Sequence, residues 1–311
     1  MGIDSGAVSE YTAYVLPSQM IDTLGIGRLG AYRRFLALRR GESRDEAPAT
    51  ARVVCVASGK GGTGKSVIAS NLAVLRARAG ERVLLIDFDA GLANAHLLLG
   101  LAPQHDLSHV LDGQVKAEDA LVEGPHGLKL LSGGVGRHFL GNPTRRELDR
   151  LFRALRPLEG MFDLLLIDHG AGLTHATTTQ IAAASTLLLV TNHEVTALSD
   201  SYALYKRASL VNPYLNVGLV MNRTPSREVA ARAWERFKSA SDRFLGHSPD
   251  FVGWVPIDPA VPESVEARLP VVLSSPESPA AKAFAGVADW GSIDYAKNAK
   301  PFFDRARGAL R

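Results

Sequence analysis

Two lysines share one glycine-rich stretch, SGKGGTGKS, residues 58–66. Gly59, Gly64, Lys65 and Ser66 satisfy the spacing GxxxxGK[ST] of a phosphate-binding loop. Glycines let such a loop curl until successive N–H groups, here those of Gly61, Gly62, Thr63 and Gly64, point inward at phosphate oxygens. In this pattern Lys65 reaches the β- and γ-phosphates and Ser66 ligates Mg²⁺. Lys60 comes directly after the first glycine, too early to cradle the phosphates of its own site. The motif alone gives it no role.

A loop of this kind works only between a strand and a helix, whose N-terminus adds positive potential. RVVCVA (52–57) leads into the loop, a helical pattern follows from about Ser66, and Gly80 is its C-cap before the next strand. Further apolar runs recur as RVLLIDFD, LKLLSG, FDLLLID, STLLLVT, NVGLVMN and FVGWVP, with helical patterns between them. Near-continuous apolar strands separated by helices predict an α/β fold, a doubly wound and mostly parallel sheet with helices on both faces. The spacing divides the chain into an N-terminal extension and linker (1–50), a nucleotide-binding domain (51–285) and a C-terminal segment (286–311).

The 311 residues carry a formal net charge of +3, too small to argue for nucleic acid from bulk charge. Cys55 is the one cysteine, so neither an internal disulfide nor a cysteine-rich cluster can form within one chain. A reducing cytoplasm is the expected setting. No basic start runs into an apolar stretch at the N-terminus, and no apolar run approaches the roughly 20 residues of a membrane span. None of the nine histidines shows metal-ligand spacing.

The KGGTGKS motif resembles the deviant Walker A motif of the MinD/ParA ATPases, P-loop NTPases that dimerise on ATP. The resemblance implies that Lys60 crosses the dimer interface to the phosphates held by the other subunit. A cation reaching a γ-phosphate from outside would stabilise transition-state charge and make dimerisation depend on ATP. LLIDFDAGLANAHLLLGL (84–101) is similar to the family's next motif, with Asp89 positioning the attacking water and Asp87 on the metal side. FDLLLIDHGAGL (162–173) resembles the Walker B strand and switch loop. There Asp168 would hold Mg²⁺ through water, and Gly170 and Gly172 would let the loop move. VTNHEVTALSDSYAL (190–204) carries Glu194 and Asp200 at positions of nucleotide and dimer contacts. Asn222 of VMNR would meet the adenine edge, and VPID (255–258), with Pro256 and Asp258, would close over the base.

Over residues 52–275 the order of motifs is similar to the flagellar-number and site-determining branch of that family, FlhG, FleN and YlxH. This implies an ATP-dependent homodimer that positions or counts a cellular structure, most closely flagella. The implied partners are the inner face of the cell membrane, an SRP-type flagellar GTPase (FlhF) and flagellar switch proteins. Three departures stand out. His169 occupies a position usually held by Ser or Thr, where a solvent-facing loop histidine and a tuned role are equally consistent. The N-terminal motif that stimulates the partner GTPase is not recognisable in residues 1–50. His193 also replaces a residue that is commonly Pro or Asp.

The chain ends in KNAKPFFDRARGALR (297–311), with five basic residues and one acidic. Helical spacing puts Phe302, Phe303, Ala306 and Leu310 on one apolar arc. The expectation is a short amphipathic helix for anionic membrane; the alternative is a last helix docked on its own domain. RLGAYRRFLALRR (28–40) holds five arginines but no clean stripe, so a packed helix or partner segment is expected there, with nucleic acid still possible. Two other functions stay open at this stage. One is a ParA-type ATPase that partitions DNA or cargo, and the other a nucleotide-binding adaptor with little hydrolysis. An iron–sulfur carrier is disfavoured, because Cys55 stands alone in mid-strand.

Overall fold

The computed structural model describes residues 51–89, 93–133, 143–172, 174–290 and 300–310. The N-terminal extension, including the arginine-rich stretch at 28–40, lies outside the described residues. The described chain falls in one compact unit spanning Arg44–Arg311.

Strand β1 (Arg52–Ala57) is apolar on both faces. Val53, Cys55 and Ala57 enter one core, and Val54 and Val56 the other. After the glycine loop, helix α1 (Lys65–Arg78) returns along the sheet and is buried along most of its length. Its N-cap, Gly64, has φ 87° and no capping side chain, so no side chain occupies the first N–H groups of the helix. β2 (Val83–Phe88) follows, then the short helices α2 (Ala95–Leu98) and α3 (Leu107–Leu111). β3 (Val122–Glu123) and β4 (Lys129–Leu131) form a small antiparallel pair at one edge. Two residues are too short a run to be legible, so β3 was not expected.

Helix α4 (Arg145–Leu155) opens with a capping box, in which Thr144 accepts from the Glu147 N–H and Glu147 reaches back to the Thr144 N–H. β5 (Leu164–His169), α5 (His175–Ala183), β6 (Thr186–Thr191), α6 (Val195–Val211) and β7 (Asn216–Thr224) alternate after it. α7 (Arg227–Leu245) is capped by Ser226 and stopped by left-handed Gly246. β8 (Asp250–Pro256), α8 (Ala260–Glu266), α9 (Val271–Ser274), α10 (Pro279–Trp290) and α11 (Phe302–Gly308) complete the described chain.

The eight strands lie in the order β3-β4-β2-β5-β1-β6-β7-β8, all parallel except β3. Helices cover both faces, as the apolar strands predict. β1 sits between β5 and β6, where the strand order reverses, the place where ligands bind in open parallel sheets.

The structure corrects the reading of the C-terminal segment. Phe302, Phe303 and Ala306 are at most 1% exposed and belong to the same core as β1, α4 and α7. The Phe303 ring lies 6.0 Å from Phe152. Both helix-opening N–H groups, of Phe302 and Phe303, donate to the Glu159 carboxylate at 2.8 Å. Arg307 pairs with Asp149, Arg156 with Asp304, and Arg305 donates to the Ala183 carbonyl. The apolar arc expected for lipid is filled by the domain itself. The boundary at 285 also falls inside α10, whose Phe284, Val287 and Ala288 are buried.

Candidate functional site

The glycine loop is held from three sides. Ser58 Oγ donates to the Lys60 carbonyl at 2.9 Å, and the Gly172 N–H of the following switch segment donates to the Ser58 carbonyl at 3.0 Å. From β7, Asn222 Nδ2 donates to the Thr63 carbonyl at 2.7 Å and Arg223 Nη1 to the Gly62 carbonyl at 3.0 Å. Arg223 was not singled out in the sequence; its backbone is left-handed (φ 53°), which turns its side chain back to the loop. From α6, the backbone of Asp200 and Ser201 comes so close that a Cβ on Gly59 would lie 2.2–2.4 Å from it. Gly59 is therefore required by helix packing as much as by phosphate. Asp200 takes part through its main chain.

Inside the loop, Lys65 is 7% exposed and points at two carboxylates, Asp168 Oδ1 at 3.3 Å and Asp89 Oδ2 at 3.9 Å. Its ammonium also lies 3.5 Å from Ser66 Oγ. Asp168 is fully buried, with the Lys65 ammonium 3.3 Å from Oδ1; the Thr63 hydroxyl is buried without a hydrogen-bond partner. Burial pushes the Asp168 carboxyl up from its ordinary range, and the Lys65 ammonium opposes that shift. A buried carboxylate has up to about four lone-pair sites, and beyond the Lys65 ammonium a cation with its water shell would fill what remains. Lys65, Ser66 and Asp168 together fit a Mg²⁺-bound phosphate chain.

Lys60 points elsewhere. Its Nζ lies 3.1 Å from Glu194 Oε2 and 3.0 Å from Thr196 Oγ1, both at the start of α6. The pair is exposed, 40% and 54% for the two side chains. The Lys60 contact holds the Glu194 carboxyl below its usual range. The early lysine thus stays on the outer rim while Lys65 fills the interior.

Three expected roles change. Asp87 was expected on the metal side, yet both its oxygens are taken by backbone N–H groups, Asp89 at 2.9 Å and Ala95 at 3.1 Å. Burial, and then the Asp168 charge, push its carboxyl up. Asp87 shapes the turn that presents Asp89. Asp258 was expected over the base, but its oxygens accept from Ala260 and Ala280 and so tie α8 to α10. Pro256 ends β8 beside Thr224. His169 is fully buried, not solvent-facing; it packs against Phe88 at 6.4 Å with neither ring nitrogen bonded. Burial, then Lys65, lower its pKa to about 3, so the ring is neutral. It projects to the sheet face opposite Asp168. Asn222 gives an amide proton to the loop at the Thr63 carbonyl. Gly170 faces Asp89, close enough that a Cβ there would touch it at 3.6–3.8 Å.

Comparison with known proteins agrees with this geometry. The profile of the CobQ/CobB/MinD/ParA nucleotide binding domain matches residues 54–271. The antiactivator FleN of Pseudomonas aeruginosa is 32% identical over 237 residues, covering 76% of this chain and 85% of FleN. The flagellum site-determining protein YlxH of Helicobacter pylori is 31% identical over 155 residues, covering 50% of this chain and 53% of its own. Among solved structures, the septum site-determining protein MinD of Pyrococcus horikoshii, complexed with Mg-ADP, superposes with a TM-score of 0.65. It is 28% identical and covers 80% of this chain and 100% of its own. The loop, its two divergent lysines and the matched span make this chain a member of the CobQ/CobB/MinD/ParA nucleotide-binding family.

Proposed function

We propose that the chain is a Mg²⁺-dependent ATPase whose ATP-bound form pairs with a second copy, and that this pairing acts as a positional switch for flagellar number or placement. The observation that carries the reading is the division of labour between the lysines. Lys65 is buried among the carboxylates of its own site, while Lys60 stands 40% exposed on the rim. A rim cation can reach the phosphates of a facing subunit at little cost, because its present partners, Glu194 and Thr196, are solvent-accessible.

In this reading the loop N–H groups, Lys65 and the α1 N-terminus bind and orient the triphosphate. Bound Mg²⁺ supplies Lewis-acid neutralisation of phosphate charge. Asp168 and Ser66 would hold it. Asp89, presented by Asp87, orients the attacking water and accepts its proton at a carboxylate oxygen. Gly170 and Gly172 let the segment tied to Ser58 shift when the γ-phosphate leaves. The relative YlxH, named as a flagellum site-determining protein, supports the flagellar process. Membrane contact through the last helix would require α11 to leave the core, so lipid binding forms no part of the proposed resting state. No helix among the described residues is long and apolar enough to cross a membrane.

The test is Lys60→Ala, followed by sedimentation velocity with ATP, ADP and no nucleotide. Nucleotide binding should persist, and ATP-driven dimerisation and turnover should disappear. Normal ATP-driven dimerisation in the variant would overturn the cross-subunit assignment. Flagellar counts in a strain lacking the gene test the cellular role, and unchanged counts would remove it.

A further inference from the structure

Helices α4 and α11 lie side by side and run in opposite directions. Glu159, just past the α4 C-terminus, holds the start of α11, and Asp149 holds Arg307 near its end. Between them opens a groove of about 660 Å³, lined by Arg145, Arg146, Asp149, Arg150, Arg307 and Leu310. α4 connects β4 to the parallel strand β5, so its first turn lies at the carboxyl end of the sheet, the same end as the glycine loop.

The charges here are unbalanced. Asp149 is committed to Arg153 and Arg307, and these contacts hold its carboxyl below the usual range. Arg145, Arg146 and Arg150 are exposed and make no hydrogen bond or ion pair among the described residues. Exposed lysines and arginines are ordinary, but three guanidiniums with no hydrogen bond or ion pair among the described residues, side by side on one groove, give it a net positive charge. The α4 N-terminus adds its own positive end, since the capping box satisfies only part of it.

The shape selects the kind of anion. At about 100° per residue, Arg145, Arg146 and Arg150 spread over roughly 140° of the helix, with Asp149 between them. Guanidiniums so dispersed do not converge on a single phosphate group. They suit separate carboxylates, each matched by a planar fork. Carboxylates on alternate residues of an extended peptide stand about 7 Å apart, comparable to the rise of about 7.5 Å from Arg145 to Arg150 along the helix. Leu310 at the groove is 7% exposed and belongs to the core, so the surface offered to a ligand is that of the guanidiniums. We propose that this groove docks a short acidic segment of a partner protein, its carboxylates on Arg145, Arg146 and Arg150.

The test uses a labelled Asp-Glu-Leu-Asp-Glu peptide and the full chain, read by fluorescence anisotropy at low and moderate salt. The wild type should bind it, more weakly as salt rises. The triple variant Arg145→Glu, Arg146→Glu, Arg150→Glu should lose affinity on the order of tenfold or more, since three charge-assisted pairs become repulsions. Acid at Arg145 and Arg146 is favoured by the helix dipole, while a glutamate at position 150 meets Glu147 and the new one at position 146, so Arg145→Gln, Arg146→Gln, Arg150→Gln serves as the companion variant that should keep nucleotide binding and still lose the peptide. Arg232→Glu with Arg236→Glu, on exposed positions of α7, should leave peptide binding unchanged. Equal peptide binding by the triple variant would overturn the proposal, as would no binding by the wild type. Tighter groove-dependent binding of tripolyphosphate, duplex DNA or phosphatidylserine vesicles would also overturn it, in favour of a phosphate ligand.

Discussion

Truncating Phe303 to alanine separates a structural last helix from a lipid-facing one by magnitude alone. The Phe303 side chain is fully buried, 6.0 Å from the ring of Phe152 and 5.1 Å from that of Phe302. Removing a buried phenyl ring costs about 3–5 kcal/mol, from lost transfer free energy and the cavity left behind. A ring waiting in solvent for a membrane would cost within about 0.5 kcal/mol. The two readings thus differ severalfold, beyond the error of an equilibrium guanidinium titration followed by circular dichroism. The midpoint should fall with the slope unchanged, because the surface exposed on unfolding is nearly the same. Phe303→Leu, which refills most of the volume, should lose about 1.5 kcal/mol. A loss below about 1 kcal/mol in Phe303→Ala would refute the docking seen here. So would equal losses in the two variants, since a cavity must scale with the volume removed.

Other expectations follow from single contacts. Asp89→Ala should bind ATP and pair normally but turn over very slowly, leaving a long-lived dimer in size-exclusion chromatography; wild-type turnover would remove Asp89 from the chemistry. Lys65→Ala should abolish nucleotide binding by calorimetry, because the interior loses the cation that Asp168 and Asp89 now share. Gly59→Ala should destabilise the fold even without nucleotide, since its Cβ would meet the α6 backbone at 2.2 Å; a stability effect seen only with ATP would contradict that. Asp106 caps α3, accepting from Ser108 and His109, and its carboxyl sits below the usual range through hydrogen bonds from both that outweigh its burial. A depressed carboxylate stabilises above its unfolded pKa of about 3.9 and loses that contribution as pH falls through the folded value. Asp106→Ala should therefore cost about 1 kcal/mol at pH 7 and progressively less below pH 4, by denaturation at each pH.

The sheet was legible because its strands are buried on both faces and read as unbroken apolar runs. The glycine loop was legible because its spacing is tied to backbone geometry. The carboxylates were harder. Asp87, Asp89, Asp168 and Asp258 all sit where a strand ends, and residue type alone marks each as a ligand. What separates them is which backbone N–H groups point at them, and the Ala280 N–H that binds Asp258 is 22 residues away. His169 was ambiguous because one position decides which sheet face it enters. The last helix was misassigned for a physical reason. A basic amphipathic arc fits lipid or a protein groove equally well, and its true partners, Glu159, Asp149 and Ala183, lie 122–158 residues earlier.

The placement of β1 bears on how the chain is made. Its neighbours are β5 and β6, so a ribosome must add more than a hundred residues before Arg52–Ala57 gains even its first partner strand, Leu164–His169. Until then five apolar residues with free edges, VVCVA, travel on a growing chain, the kind of segment that pairs with a stranger. α1 and α10 cover one side of this strand and the docked α11 closes the other core, so its shielding is complete only near the end of synthesis. Messages cut short before β6 should thus yield aggregates or chaperone clients, not partial nucleotide binders. Slowed translation across residues 60–160 should raise the demand for holdases on this protein more than a pause after residue 191.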